Sequence, residues 1–430
     1  PEAFPRVLFI TPHAFNKVTG TGITFSNLFH GWPKDRIATV HDDTLPATTE
    51  ICNKYYQLGV GEIQKFGGSF ARSVTDYSGS KNLPGRSSPI RQKILQTLKK
   101  WIFGEGLPQR GVLTPKLEAW IEEFKPDVIY TILGSNGLMD IVEAIQLKFD
   151  KPMVVHIMDD WMSGAFSHGL LGWIQRHRMM QSIWRIVDKS NLRLGISDAM
   201  CEAYSKRFEV PFQAFQNVVD TAAIARYRSD PTVLCYPAKI VYAGSIFAVA
   251  QQQSLIDCCE AVLQLSNDGV SVQLDIYCPP SHIAGIEELF AVGPAIKLHG
   301  PLKDDEDFFS TICGADVLLV PVNFDHKSVD FIRYSMPTRV PAYLASGTPI
   351  LVYGPKYVAQ LEYAQREDWG LVVNQRDTIL LQKAMRQIID DTVLRSALAQ
   401  TAYGVAEKHH DASINRQKFQ DALSKIQNML

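Results

Sequence analysis

An α/β chain built on doubly wound parallel sheets follows from two features of the sequence. Short apolar runs rich in β-branched residues recur along nearly its whole length, and most are separated by stretches of helical period. Strands buried on both faces read as continuous apolar runs, and alternation with helices implies βαβ units with right-handed crossovers. The first series of runs is Val7–Thr11, Asp127–Leu133, Met153–Met158, Leu192–Ser197 and Phe212–Asn217. The second is Lys239–Ser245, Val272–Cys278, Ile296–Pro301, Val317–Val322, Pro349–Gly354 and Leu371–Asn374.

The series breaks between Val218 and Ala238, where Asp220 to Pro231 is polar and turn-rich. A domain boundary is expected there: residues 1–220 form one Rossmann-like domain and 232–411 a second. The last helix, about 412–430, can pack on either. The length agrees, since 430 residues at about 150 per domain leave room for two large units. The chain changes from net basic to net acidic across the boundary.

Composition excludes several classes. The chain is 46% hydrophobic and 20% charged with a formal net charge of −2, so neither disorder nor a global basic field for nucleic acid fits. The longest apolar runs, such as Val317–Val322, fall far short of the ~18–20 residues that span a bilayer. A strand-like segment from Arg6 argues against a signal peptide at the front. Seven scattered cysteines without a CxxC pair fit a reduced cytoplasmic protein without structural zinc. No GxSxG, GxxxxGK[ST] or HExxH is present, so hydrolase elbows, P-loops and zincin sites are poor fits.

One stretch departs from the alternation. Lys81–Arg110 is strongly basic, with Glu105 its single acidic residue, and places Ile94, Leu98, Trp101 and Ile102 at helical spacing. A second basic amphipathic helix is expected over Leu171–Lys189, with Trp173, Ile174 and Trp184 against Arg176, Arg178 and Arg185. Such segments fit a solvated basic surface and fit peripheral contact with anionic lipid equally well.

Four places carry candidate chemistry. After the first strand, Gly20-Thr21-Gly22 precedes a helix expected from about Ile23. Backbone N–H groups there suit a phosphate or the reacting end of a sugar nucleotide, and an ordinary strand–helix turn reads the same. At the end of the third run, His156, Asp159 and Asp160 stand where ligands bind on a parallel sheet. The histidine can hold a substrate hydroxyl and either aspartate can take a proton or a hydroxyl bond. The same residues also read as a core histidine and a helix N-cap. A metal is not expected, because further carboxylates at ligand spacing are missing. Asn217 lies just before the boundary, where a cleft between two lobes would hinge. In the second half, the turn Tyr334-Ser335-Met336-Pro337-Thr338-Arg339 enters a helix, so its amides and the guanidinium can meet a pyrophosphate. A surface cation is the other reading of Arg339.

In their order, these segments resemble a GT-B glycosyltransferase of glycosyltransferase family 4. ISDAMCEAYSKRFEVPFQAFQNVVD resembles the segment that closes the family's first domain, and KIVYAGSI the strand that opens its donor domain. LHGPL and ADVLLVPV resemble the strand pair lining the nucleotide, and YSMPTRVPAYLASGTPILVYGP the pattern E-S-x-P-x-K-x-x-E-Y-x-A-x-G-x-P-I. The resemblance implies two Rossmann-like domains facing across a cleft and a retaining, metal-independent hexosyl transfer. It implies no cofactor beyond the nucleotide-sugar donor, which is a substrate, and a glycan or lipid-linked acceptor in bacterial-type surface polysaccharide synthesis. It implies a cytoplasmic protein, associated with the inner face of the membrane if Lys81–Arg110 contacts lipid.

Carried over by position, Gly20 and Gly22 approach the donor phosphates or sugar and His156 the sugar. Gly244 and Ser245 follow the strand that opens the donor domain, Gly300 and Pro301 lie near the base, and Ser335 to Arg339 lie near the pyrophosphate. The family's pair of glutamates falls on Tyr334 and Ala342, and the basic residues that usually follow Gly244 are absent. Two other functions therefore stand beside transfer: a GT-B-shaped binding or scaffold subunit of a glycan-assembly complex, and a GT-B sugar-nucleotide epimerase.

Overall fold

The computed structural model describes residues 4–65, 108–166 and 169–427. The chain divides into two compact units, residues 1–195, 201–214 and 419–430 in the first and residues 196–200 and 215–418 in the second. The basic stretch Lys81–Arg110 lies outside the described residues except for its last three positions.

In the first unit the strands run β1 (Val7–Thr11), β2 (Ile37–His41), β3 (Lys54–Gln57), β4 (Ile63–Lys65), β5 (Gln109–Gly111), β6 (Val128–Ile132), β7 (Met153–Ile157), β8 (Leu192–Gly195) and β9 (Gln213–Ala214). Seven of them form one parallel sheet in the order β3-β2-β1-β6-β7-β8-β9. Every residue of β1, β2, β6 and β7 is buried, as a sheet covered on both faces requires.

The helix Gly20–Leu28 docks on this sheet through rings. Phe9 of β1 lies 5.1 Å from Phe25, and Phe29 lies 5.1 Å from Phe419 near the C-terminus. Tyr130 of β6 closes the cluster at 5.9 Å from Phe419. These large fully buried rings tie the end of the chain into the first unit.

The helix Asn136–Phe149 starts where Ser135 accepts a hydrogen bond from the Leu138 amide. It ends on Asp150, which takes the left-handed conformation at φ 46°. The antiparallel ribbon of β4 and β5 lies against this helix. Gly111 makes that approach possible, since a Cβ there would stand 1.9 Å from the Gly137 carbonyl oxygen.

The second unit carries β10 (Ala238–Ala243), β11 (Val272–Tyr277), β12 (Ile296–His299), β13 (Val317–Pro321), β14 (Ile350–Tyr353) and β15 (Leu371–Val373). All six are parallel, in the order β12-β11-β10-β13-β14-β15. This is the dinucleotide-fold order 3-2-1-4-5-6, which reverses between β10 and β13. The first sheet reverses in the same way between β1 and β6. Ligands of open α/β sheets bind outside the carboxyl ends of the strands at such a reversal, so each unit has one place to search.

Candidate functional site

In the first unit a cavity of about 400 Å³ occupies that place. Pro12 and His13 beyond β1, the segment Ile132–Asn136 at the end of β6 and the segment His156–Asp159 at the end of β7 form its walls. Thr21, Trp161 and Phe166 complete them.

His156 is fully buried at its backbone and ring, and its Nδ1 meets the Tyr130 hydroxyl at 2.6 Å. Complete burial pushes the Tyr130 phenol well up, so it stays a neutral hydroxyl and fixes the plane of the imidazole. Phe25 meets the same ring edge-on at 5.3 Å. The histidine is therefore part of the core and part of the cavity wall at once.

The adjacent aspartates separate. Asp159 lines the cavity. Asp160, 4% exposed, faces the other way: it accepts from Tyr204 Oη at 2.5 Å and Ser163 Oγ at 2.6 Å, and pairs with Arg207 at 3.3 Å. This network uses the Asp160 carboxylate to hold the short helix Trp161–Gly164 and Tyr204 together.

At the glycine turn the helix start is corrected. The helix begins at Gly20 rather than near Ile23, and Thr21 alone of Gly20-Thr21-Gly22 reaches the cavity. The Gly22 amide already donates to Thr19 Oγ1 at 3.0 Å. Glycine is needed at 22 because a Cβ would stand 2.4 Å from the Asn16 carboxamide carbon. That carboxamide accepts from the Val18 and Thr19 amides and donates to the Ala14 carbonyl, so it shapes the loop.

In the second unit the carboxyl end of β10 carries the feature of interest. The Arg339 guanidinium stands over the Tyr242 ring at 4.7 Å and against Gly244, where a Cβ would meet its Nη1 at 2.8 Å. Gly244 has φ +152°, which favours glycine there. The Arg339 Nε is buried without a hydrogen-bond partner among the described residues. Its charge acts on two buried phenols: burial raises both Tyr242 and Tyr343, the latter up to about 12, and the guanidinium opposes the rise in each. Tyr343 itself clamps the end of β10, accepting from the Ala243 amide at 2.8 Å.

The helix expected from the Ser335–Thr338 turn starts only at Val340, after Arg339. The turn is held from behind, with Asn217 Nδ2 donating to the Thr338 carbonyl at 2.7 Å and Ser197 Oγ to the Tyr334 carbonyl at 2.7 Å. Asn217 thus positions the turn that carries Arg339. Met336 is buried at 9% exposure, and Pro337 is half-buried. The Ser245 carbonyl accepts from Tyr242 Oη and Gln251 Nε2. Gly300 and Pro301 are exposed beyond β12. Just before them His299 stacks on Tyr277 at 4.5 Å and meets Asp275 at 2.7 Å.

The sequence reading missed His13, Ser135, Asn136, Trp161, Phe166 and Tyr242. For Ser135 and Asn136 the signal was present, since Gly134-Ser135-Asn136 follows a strand and opens a helix. Among the described residues no group of three or more His, Cys, Asp or Glu could hold a metal ion. None of the helices there is long and apolar enough to cross a membrane.

No family model and no curated protein matches the sequence. Solved structures do share the fold over the whole chain. Sucrose-phosphate synthase from Thermosynechococcus elongatus is similar at a TM-score of 0.64 and 13% identity, covering 99% of this chain and 100% of that one. Anabaena HepE, solved in complex with UDP, is similar at 0.61 and 14% identity over 98% and 100% of the two chains. WaaG, titled a glycosyltransferase involved in lipopolysaccharide biosynthesis, is similar at 0.58 and 12% identity over 96% and 98%. At such identities the likeness shows the fold alone, and that fold is the GT-B fold of two parallel-sheet units.

Proposed function

We propose that the protein is a retaining, metal-independent glycosyltransferase of the family 4 type, moving a hexose from a nucleotide-sugar donor to a glycan or lipid-linked acceptor. The observation that carries this reading is the Arg339 guanidinium, set against Gly244 at the strand-order reversal of the second unit, its Nε without a hydrogen-bond partner among the described residues. A planar, permanently charged fork in that place suits the two phosphates of a nucleoside diphosphate. The fold neighbour HepE was solved with UDP and with UDP-glucose, which supports a uridine nucleotide as the first ligand to try.

In the transfer, the bond between the anomeric carbon and the diphosphate oxygen breaks. The bond to the acceptor oxygen forms on the same face, and the acceptor's proton ends on the departing diphosphate. Arg339 offsets the charge that develops there. In the first unit, His156 and Asp159 hold hydroxyls of a sugar in the cavity. Gly20 and Thr21 offer first-turn amides, and Gly300 and Pro301 flank the base. A role in surface polysaccharide synthesis fits a lipid-linked acceptor. Exposed Leu170, Leu171, Trp173 and Ile174 at the start of the helix Gly172–Lys189 support contact with a lipid surface at the cytoplasmic face. Sedimentation with vesicles of rising anionic content should carry the protein down, and indifference to that content removes the membrane part.

The absent glutamates favour one second reading, a binding subunit without turnover. Ala342 is buried in the helix Val340–Ser346 and offers no carboxylate. The experiment that decides is an acceptor screen with radiolabelled UDP-glucose, UDP-galactose and UDP-N-acetylhexosamines. Transfer of label supports the enzyme, nucleotide-sugar binding without transfer to any acceptor supports the subunit, and epimer formation without acceptor supports an epimerase.

A further inference from the structure

A second hollow of the first unit, a groove of about 480 Å³, lies between the edge strand β3 and the helix Pro115–Phe124. It shares no wall residue with the cavity at the strand-order reversal. Lys54 pairs with Glu123 at 3.2 Å, and Lys116 Nζ stands 5.7 Å from the centre of the Tyr56 ring, so the helix runs antiparallel to the strand. Tyr55, Tyr56 and Trp120 give the groove its aromatic surface, with the Trp120 ring edge-on to Tyr56 at 5.5 Å. Gln57, Lys116 and Glu123 bring polar groups to its exposed rim.

The phenols are held from behind. Tyr56 Oη donates to Glu62 Oε1 at 2.9 Å, and the same oxygen accepts from the hydroxyl of Thr114, the residue that caps the helix. Tyr55 Oη donates to the Thr48 carbonyl at 2.6 Å. With both hydroxyls committed to the protein, the tyrosines offer the groove fixed ring surface. A preordered aromatic surface with a few polar groups at its edge costs a ligand little ordering entropy.

The groove is also joined to the cavity. Gln57 Nε2 donates to the Asp43 carbonyl at 2.7 Å, and the Asp43 carboxylate meets His13 Nδ1 at 3.3 Å. His13 stands in the cavity wall. A polar strip thus runs along the carboxyl ends of β1, β2 and β3. In the sheet β3 lies two strands from β1, about 10 Å at the usual strand spacing, a reach that a chain of a few sugars spans. A pyranose ring is the matching ligand, with an apolar C–H face for the aromatic rings and a rim of hydroxyls for the carboxamide, the ammonium and the carboxylate.

We propose that the groove is a second saccharide site, which holds a sugar of the acceptor glycan remote from its reacting end. This goes beyond the glycosyl-transfer reading and rests on it only for the choice of a glycan.

Isothermal titration of the full chain with maltotetraose, cellotetraose and chitotetraose tests it, with methyl glucoside as the single-ring control. At least one tetrasaccharide should bind, and about tenfold more tightly than methyl glucoside. Trp120→Ala should weaken that tetrasaccharide about tenfold and leave UDP affinity unchanged. Trp120→Phe, which keeps a ring, should recover part of the loss. Lys116→Ala, at an exposed position, should lose affinity several-fold while melting as the parent does. Three results would each overturn the proposal: no tetrasaccharide binding, tetrasaccharide binding unchanged in both Trp120→Ala and Lys116→Ala, or a dimer in sedimentation velocity that Trp120→Ala dissociates. UDP titration of the parent reports on the transfer reading separately: UDP binding without tetrasaccharide binding removes the groove alone, and tetrasaccharide binding without UDP binding removes the transfer reading and leaves the groove.

Discussion

Arg339→Ala should weaken UDP binding about 100-fold. A hydrogen bond to a charged partner contributes about 1.5–3 kcal/mol, and a guanidinium fork on a diphosphate makes two parallel ones. Allowing for their incomplete additivity, a loss of ~3 kcal/mol corresponds to roughly two orders of magnitude in affinity. The folded protein should lose much less, because the guanidinium interacts mainly with the Tyr242 side chain and its Nε has no hydrogen-bond partner among the described residues. Isothermal titration with UDP and a thermal melt on the same sample read both halves. Arg339→Lys should recover only part of the affinity, since an ammonium keeps the charge and loses the fork. Full affinity in Arg339→Ala would place the diphosphate elsewhere.

Asp160→Ala should instead cost stability, by about 1–3 kcal/mol, the range for leaving a buried hydrogen-bonding group without its partner. The substitution removes the Arg207 ion pair and the carboxylate that accepts from the Tyr204 and Ser163 hydroxyls. Asp160 also holds the Tyr204 phenol, already raised by burial, further up, so the tyrosine is a neutral donor and the carboxylate its acceptor at neutral pH. Urea unfolding followed by tryptophan fluorescence should show the transition moved to lower denaturant, with Asp160→Asn in between. A variant as stable as the parent that has lost sugar transfer would return Asp160 to the chemistry.

The contrast between these two residues shows what the sequence could and could not convey. All eleven runs read as strands carry strands, because burial on both faces writes itself as continuous apolarity. The run Phe212–Asn217 shrank to Gln213–Ala214, a short edge strand at the end of its sheet. β2 and β3 were missed: Ile-Ala-Thr-Val-His interrupts its apolar character, and Lys-Tyr-Tyr-Gln is an edge strand with polar ends. The ribbon of β4 and β5 pairs segments distant in sequence, which no local pattern reveals.

At the site, Arg339 was legible as a cation after a proline turn, but its contact with Gly244 joins segments far apart in the chain. Asp159 and Asp160 carry the same chemistry one residue apart, and only the turn into the helix Trp161–Gly164 sends one to the cavity and the other to Tyr204. Gly22 looked like a phosphate-binding glycine because glycine spacing records a need for space. The space proved to be for Asn16. Asn136 was overlooked because its residue type and place at a helix start are explained by local structure, and its place in the cavity wall exists only in three dimensions.

A crystal structure of the full chain soaked with UDP puts the diphosphate assignment to trial at atomic scale. The account predicts both phosphates within hydrogen-bonding distance of the Arg339 guanidinium, beside the Gly244 and Ser245 backbone at the carboxyl end of β10. A diphosphate bound away from the end of β10, with the guanidinium still lying against Tyr242 and Gly244, would contradict it.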